Sequence, residues 1–209
     1  MTSFLILHGF AGSTNGHWQQ WLSGELSGRG YSVYFPQFSD WFRPLKTVWL
    51  AELKRTVLAI PKEESLVVVA HSLGCLLWFH FAAQEQKRRA ARVLLVSPPA
   101  ETLGEDSLKI FYPDREEPRK RAFEGIRTFY PFPSDKTCLK KAAKRTLIVT
   151  STTDPFLPAS KRAQYDAYGV PMLVLPAMGH INVQSGYGPW PWILSLCLGK
   201  ELPSPAGNR

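Results

Sequence analysis

The stretch Val67-Val68-Val69-Ala70-His71-Ser72-Leu73-Gly74-Cys75 decides how the chain is read. A β-branched apolar run stops at the small residue Ala70, a serine follows two positions later, and a glycine two after that. The next segment, Leu76-Leu77-Trp78-Phe79-His80-Phe81-Ala82-Ala83, reads as helix. Strand, sharp turn and helix in this order lift a serine oxygen out of the end of a sheet. The turn needs small residues on both sides so that strand and helix can close around it. Ala70 adds one tolerable methyl group there, and Gly74 adds no side chain at all. Taken alone, the same letters also describe an ordinary buried strand capped by a Ser-Leu-Gly turn.

The rest of the chain favours the sharper reading. After a first strand, Phe4-Leu5-Ile6-Leu7, comes His8-Gly9-Phe10-Ala11-Gly12-Ser13, a loop placed to donate a backbone N–H to a developing oxyanion. Downstream, Thr146-Leu147-Ile148-Val149-Thr150-Ser151 reads as a strand running into Thr152-Thr153-Asp154-Pro155. Met172-Leu173-Val174-Leu175 reads as another, ending in Pro176-Ala177-Met178-Gly179-His180. Ser72, Asp154 and His180 thus follow in that order, each just past the carboxyl end of a strand. In a parallel sheet those ends share one edge, where ligands bind. The order Ser…Asp…His is that of the α/β-hydrolase fold and differs from those of the chymotrypsin and subtilisin folds.

On these motifs the chain resembles the small, lid-poor α/β-hydrolases of the serine hydrolase family that includes retinoblastoma-binding protein 9 and bacterial YdeN-like esterases. The matching features are the short length, the His8-Gly9 loop with Trp18 and Trp21-Leu22 behind it, the Ala70-His71-Ser72-Leu73-Gly74 turn, Ser151-x-x-Asp154-Pro155, and Gly179-His180. The resemblance spans roughly residues 3 to 197. It implies short-acyl esters and aminoacyl amides as substrates. Family members of this type are also described as binding partners, so a catalytically weak or inactive protein-binding module is the alternative. The Leu-x-Cys-x-Glu signature for a retinoblastoma pocket is absent, since Leu73-Gly74-Cys75 continues as Leu76-Leu77.

Composition sets the outer limits. At 209 residues and 44% hydrophobic content, one α/β-hydrolase domain over residues 1–200 is expected, with a disordered, Pro-, Gly- and Ser-containing tail at 201–209. No apolar run approaches the ~18 residues of a membrane span, and Met1-Thr2-Ser3-Phe4 lacks a signal-peptide pattern. Cys75, Cys138 and Cys197 have no metal-ligand spacing and suit reduced, buried thiols, so a cytoplasmic location is expected. The net charge of +8 raises the question of nucleic acid. Its basic runs, Lys87-Arg88-Arg89, Arg119-Lys120-Arg121 and Lys140-Lys141-Ala142-Ala143-Lys144-Arg145, carry no interleaved aromatics and read as solvated faces. The first sits where a helix dipole favours cations, and the last reads as an exposed helix face. No nucleic-acid partner, metal or organic cofactor is expected.

The coarse pattern is alternating strands (3–7, 31–35, 66–70, 92–97, 146–151, 171–176) and helices (near 17–28, 45–60, 73–88, 158–168, 189–198). That pattern implies a mostly parallel central sheet with helices on both faces and little or no lid. Residues 99–145 are the least regular part, with short helices expected beside the site.

The chemistry follows from residue type. A serine hydroxyl needs a base to become a nucleophile, and histidine both takes a proton and returns it. An aspartate on the other ring nitrogen fixes the tautomer and stabilises the imidazolium. Ser72, His180 and Asp154 take these roles, with the backbone N–H groups of Phe10 and Leu73 as oxyanion donors. Asp135 and Asp166 are rivals for the acid that follow no strand. Gly9, Trp41, Phe156 and Thr153 are candidate substrate contacts, while Trp41-Phe42 equally suit plain packing. His71 reads as packing or lining, and His17 with Trp18 as a helix start. The expected activity is hydrolysis of a small carboxylic ester, with thioester or aminoacyl amide open.

Overall fold

The computed structural model describes residues 1–85 and 89–199. Six strands, β1 (Thr2–Leu7), β2 (Ser32–Tyr34), β3 (Ser65–His71), β4 (Ala90–Val96), β5 (Ala143–Ser151) and β6 (Met172–Leu175), form one sheet in the order β2-β1-β3-β4-β5-β6. Every pairing is parallel. Strand order reverses between β1 and β3, and at such a switch point the loops leaving the two strands diverge and open a crevice.

Each strand is buried on both sides, so its side chains divide by a period of two. On β1, Phe4 and Ile6 pack with α1 (Trp18–Gly28) and α6 (Pro191–Cys197). Leu5 and Leu7 face the other way, toward α2 (Lys46–Ala59), α3 (Leu73–Gln84), α4 (Glu116–Arg127) and α5 (Cys138–Ala142). Helix α1 buries Trp18, Leu22 and Leu26, and α2 buries Trp49, Leu53 and Val57, each an i, i+4, i+8 stripe. Helix α3, by contrast, is buried almost all round, which explains a near-continuous apolar sequence broken only by His80 and Gln84.

The structure is an α/β-hydrolase sheet, as expected, with local differences. Residues 159–168 form a 3-10 rather than an α-helical run. Strand β5 begins at Ala143, so Lys144 and Arg145 belong to a strand and not to a helix face. Helix α3 ends at Gln84, and the expected extension through 86–88, with Lys87 and Arg88, lies outside the described residues, as does the tail 201–209. The 99–145 stretch holds a 3-10 run, Glu105–Ile110, and the 12-residue α4. Only Ala122, Gly125 and Ile126 of α4 are buried, too few apolar positions for the period to stand out; Glu116 and Glu117 at its start and Arg127 at its end suit the helix dipole.

Several cations of this basic chain act at helix ends. Arg89 donates to the carbonyls of Val57 and Ile60 at the end of α2 at 2.9 and 3.1 Å. Arg92 does the same for Leu196 and Cys197 at the end of α6. Carbonyls left unpaired at a helix C-terminus are thereby satisfied.

Candidate active site

The turn after β3 holds Ser72 at φ 52 and ψ −123, a conformation a non-glycine residue adopts only when its surroundings impose it. The imposing contacts are visible. Ser72 donates its N–H to Val96 O at 2.9 Å, and Gly74 passes so close to the end of β1 that an added Cβ would lie 2.6 Å from the carbonyl oxygens of both Leu7 and His8. Gly74 is therefore required by the backbone at the end of β1.

His180 Nε2 lies 2.9 Å from Ser72 Oγ, and His180 Nδ1 lies 2.9 and 3.0 Å from the two oxygens of Asp154. Asp154 is buried, and its Oδ1 also accepts the Phe156 N–H at 2.9 Å. The three side chains, separated by up to 108 residues, thus form one continuous hydrogen-bonded line. The rivals lie elsewhere: Asp135 is engaged with Thr137 and Lys141 on the surface, where those bonds lower its carboxyl pKa to about 2, and Asp166 is exposed.

The loop bearing His180 is tied down in ways the sequence reading missed. The three consecutive hydroxyls before Asp154 each accept an N–H from it: Thr152 from Ala177, Ser151 from Met178 and Thr153 from Gly179, at 2.8, 2.8 and 3.0 Å. Thr153 therefore holds the loop and does not line the cavity. The Ser-Thr-Thr run was the available signal, since hydroxyls beside a turn seek backbone N–H groups. His180 donates its own N–H to Ser185 Oγ at 3.1 Å, and Trp18 Nε1 donates to the carbonyl of Ile181 at 2.8 Å. Ile181 sits at φ 50, an outlier for a β-branched residue directly beside His180.

Two further histidines position backbone. Burial drives the pKa of His71 well below its usual value, and His180 and His17 nearby add to this. A neutral His71 with Nε2 3.0 Å from the carbonyl of His180 must donate there, so the residue preceding Ser72 clamps the residue facing it. His8, also depressed by burial, accepts the Phe38 N–H at Nε2 (3.0 Å) and so donates from Nδ1 to Gly9 O (2.8 Å). That bond orients the peptide linking Gly9 to Phe10. His17 both caps α1, accepting the Gln19 N–H at 3.2 Å, and lines the cavity.

Gly9 is a point of close approach: an added Cβ would lie 2.8 Å from Ser72 Cβ and 3.3 Å from the Leu73 nitrogen. Phe10 and Leu73 both line the cavity beside Ser72, and among the described residues neither N–H is bonded to a protein acceptor. Trp41 stands behind the wall. Its carbonyl accepts the Ala11 N–H at 3.0 Å, its ring abuts Gly12, and its neighbour Phe42 is the one that lines the cavity.

The cavity over Ser72 measures about 340 Å³. Its apolar lining includes Phe10, Phe42, Leu108, Phe111, Ile126 and Phe156, so the 99–145 segment contributes to the wall. Phe156 also packs edge-on against His180, with ring centroids 4.5 Å apart. The cavity's polar lining includes Thr14, His17, Asn182 and Gln184. Among the described residues no lysine, arginine, aspartate or glutamate lines it, and no group of three His, Cys, Asp or Glu side chains is placed to hold a metal ion. No helix among them is long and apolar enough to cross a membrane.

Comparison with known proteins bears on the fold and the family. YdeN, named as a hydrolase, from Bacillus subtilis (strain 168) is 30% identical over 99 residues, 47% of this chain and 51% of that protein, so the match spans about half of the relative's length. The solved structure of the B. subtilis ydeN gene product superposes with a TM-score of 0.73 at 21% identity, over 94% of this chain and 96% of that one. A ydeN-like hydrolase from Pectobacterium atrosepticum gives 0.62 at 22% identity, over 94% and 88%. Those two likenesses establish the fold. A family model described as serine hydrolase matches residues 4–198, which takes in all of the sheet but the first two residues of β1, together with the Ser72 turn and the loops of Asp154 and His180, and the chain belongs to that serine hydrolase family.

Proposed function

We propose that the protein hydrolyses small, uncharged carboxylic esters through Ser72, His180 and Asp154. The observation that carries this is the 2.9 Å contact between Ser72 Oγ and His180 Nε2, with Asp154 on the opposite ring nitrogen. As Ser72 Oγ attacks the carbonyl carbon, its proton passes to His180 Nε2. Asp154 holds Nδ1–H and stabilises the imidazolium. The oxyanion is received by the N–H groups of Phe10 and Leu73, each worth about 3 kcal/mol at the transition state. Collapse expels the alcohol, protonated by His180, and leaves Ser72 acylated. Water then gives a proton to His180 and adds to the acyl carbon, and the acid leaves as Ser72 regains its hydrogen.

The aromatic and aliphatic lining of the cavity suits an apolar acyl group, and its lack of charge disfavours an ionised one. Of the candidate substrate contacts, Phe156 and Phe42 meet the acyl group in this reading, while Gly9 acts through close approach and Trp41 through support. An ester is preferred over an amide because an alkoxide leaves more readily than an amide nitrogen and asks less of His180, while a thioester fits the same chemistry. No step needs a metal or organic cofactor. The three cysteines are free and buried, which fits the cytoplasmic assignment. Labelling by a fluorophosphonate probe tests the reading: wild type should label and Ser72→Ala should not. A folded wild type that neither labels nor cleaves p-nitrophenyl esters would overturn it in favour of a binding module.

A further inference from the structure

The basic run from Lys140 to Arg145 has no part in this chemistry. It borders a second cavity, of about 910 Å³, at the amino ends of β4 and β5, the opposite end of the sheet from Ser72. Four cations line it from three elements: Arg92 on β4, Lys140 on α5, and Lys144 and Arg145 on β5. Among the described residues no carboxylate lines it, and none of the four is ion-paired. Lys141, next to Lys140 on α5, does have a carboxylate partner in Asp135. Arg92 cannot swing away without surrendering the α6 carbonyls it holds. Arg92 and Arg145 are directly opposed cross-strand partners, and burial first, then the charge of Arg145, lower the pKa of Arg92. Gathering unpaired like charges around a recess is unfavourable unless an anion enters it.

The walls between these cations are apolar, with Leu147 and Val170 partly exposed there and Leu94 and Leu196 buried behind them. A bare inorganic ion would leave them uncovered, and the volume lies in the range of small-molecule sites. Several convergent donors suit a group carrying about two negative charges and three acceptor oxygens better than a single carboxylate. We propose that this cleft is a binding site for an amphipathic organic phosphate, with the phosphoryl group at Arg92 and Arg145, cross-strand partners on one face of the sheet, and the apolar body against Leu147 on that same face.

The test is calorimetric titration of the full chain with 1-naphthyl phosphate and with inorganic phosphate, at low and at physiological salt. Parallel sedimentation with vesicles of phosphatidylglycerol, against phosphatidylcholine, separates a lipid headgroup from a soluble ligand. The comparison variant is Lys144→Gln/Arg145→Gln, both exposed side chains, with its fold checked by thermal melting. Naphthyl phosphate should bind more tightly than phosphate, weaken with salt, and lose at least about tenfold in affinity in the double variant, as expected for lost charge-assisted hydrogen bonds. Binding to phosphatidylglycerol vesicles alone, lost in the same variant, would support the site with a lipid as the source. No binding of any probe at millimolar concentration would overturn the proposal. So would binding unchanged in the folded double variant, or binding of naphthyl phosphate that competes with ester turnover and so belongs to Ser72.

Discussion

Replacing Gly9 by alanine separates the proposed oxyanion site from the general stability of the fold. Gly9 does not occupy a left-handed conformation, so alanine is acceptable to the backbone and the effect is one of space alone. The new methyl carbon would stand 2.8 Å from Ser72 Cβ, 3.1 Å from His71 O and 3.3 Å from Leu73 N. Carbon atoms meet at about 3.5 Å or more, so the Gly9–Phe10 loop and the Ser72 turn must separate by roughly 0.7 Å. Neither side gives easily: His8 fixes the Gly9 carbonyl, and Gly74 is wedged against the end of β1. Two N–H donors that both reach one oxygen at about 2.9 Å cannot both do so after that shift. Loss of one donor costs about 10²–10³ in kcat, with KM little changed. Overpacking costs about 1–3 kcal/mol of stability, seen as a Tm lower by several degrees. Steady-state kinetics on a p-nitrophenyl ester, beside a thermal melt, would read both. A variant with wild-type kcat and a lowered Tm would refute the role of this loop in catalysis; wild-type values of both would refute the close approach itself.

Further outcomes follow from the same geometry. Asp154→Asn keeps the bond to Phe156 N–H but presents the wrong partner to His180, so kcat should fall by about 10⁴-fold in a folded protein; an unchanged rate would remove Asp154 from the reaction. His71→Gln retains a donor for the carbonyl of His180, whereas His71→Phe leaves that carbonyl unpaired, so glutamine should keep more of kcat than phenylalanine at similar KM; equal losses in both would show that His71 serves packing alone. Burial, with His180 and His8 nearby, lowers the His17 pKa to about 4. The unfolded chain takes up that proton near pH 6.5, so stability is complete above pH 6.5 and falls as pH drops toward 4, by about 3 kcal/mol from His17 alone. His8 and His71 shift the same way and steepen the loss. Urea denaturation that is no weaker at pH 4.5 than at pH 7 would contradict this.

The sequence by itself determined the layered α/β architecture, because strands covered on both faces must be continuous apolar runs and helices covered on one face must carry apolar stripes. It also singled out Ser72, Asp154 and His180, because each follows a strand and all strands point the same way. Chain order and strand direction are local properties, legible in the letters. Tertiary structure alone decided how those side chains are held. The clamp of His71 on His180 spans 109 positions and that of Trp18 on Ile181 spans 163, and nothing local announces either. It also decided that Phe42 and not Trp41 reaches the cavity, since which face of a loop turns inward depends on what it packs against. The basic run at 140–145 shows the same division. Its charge is read directly from the sequence, but only the fold of β4 against β5 brings Arg92 beside it and leaves four cations around one cleft.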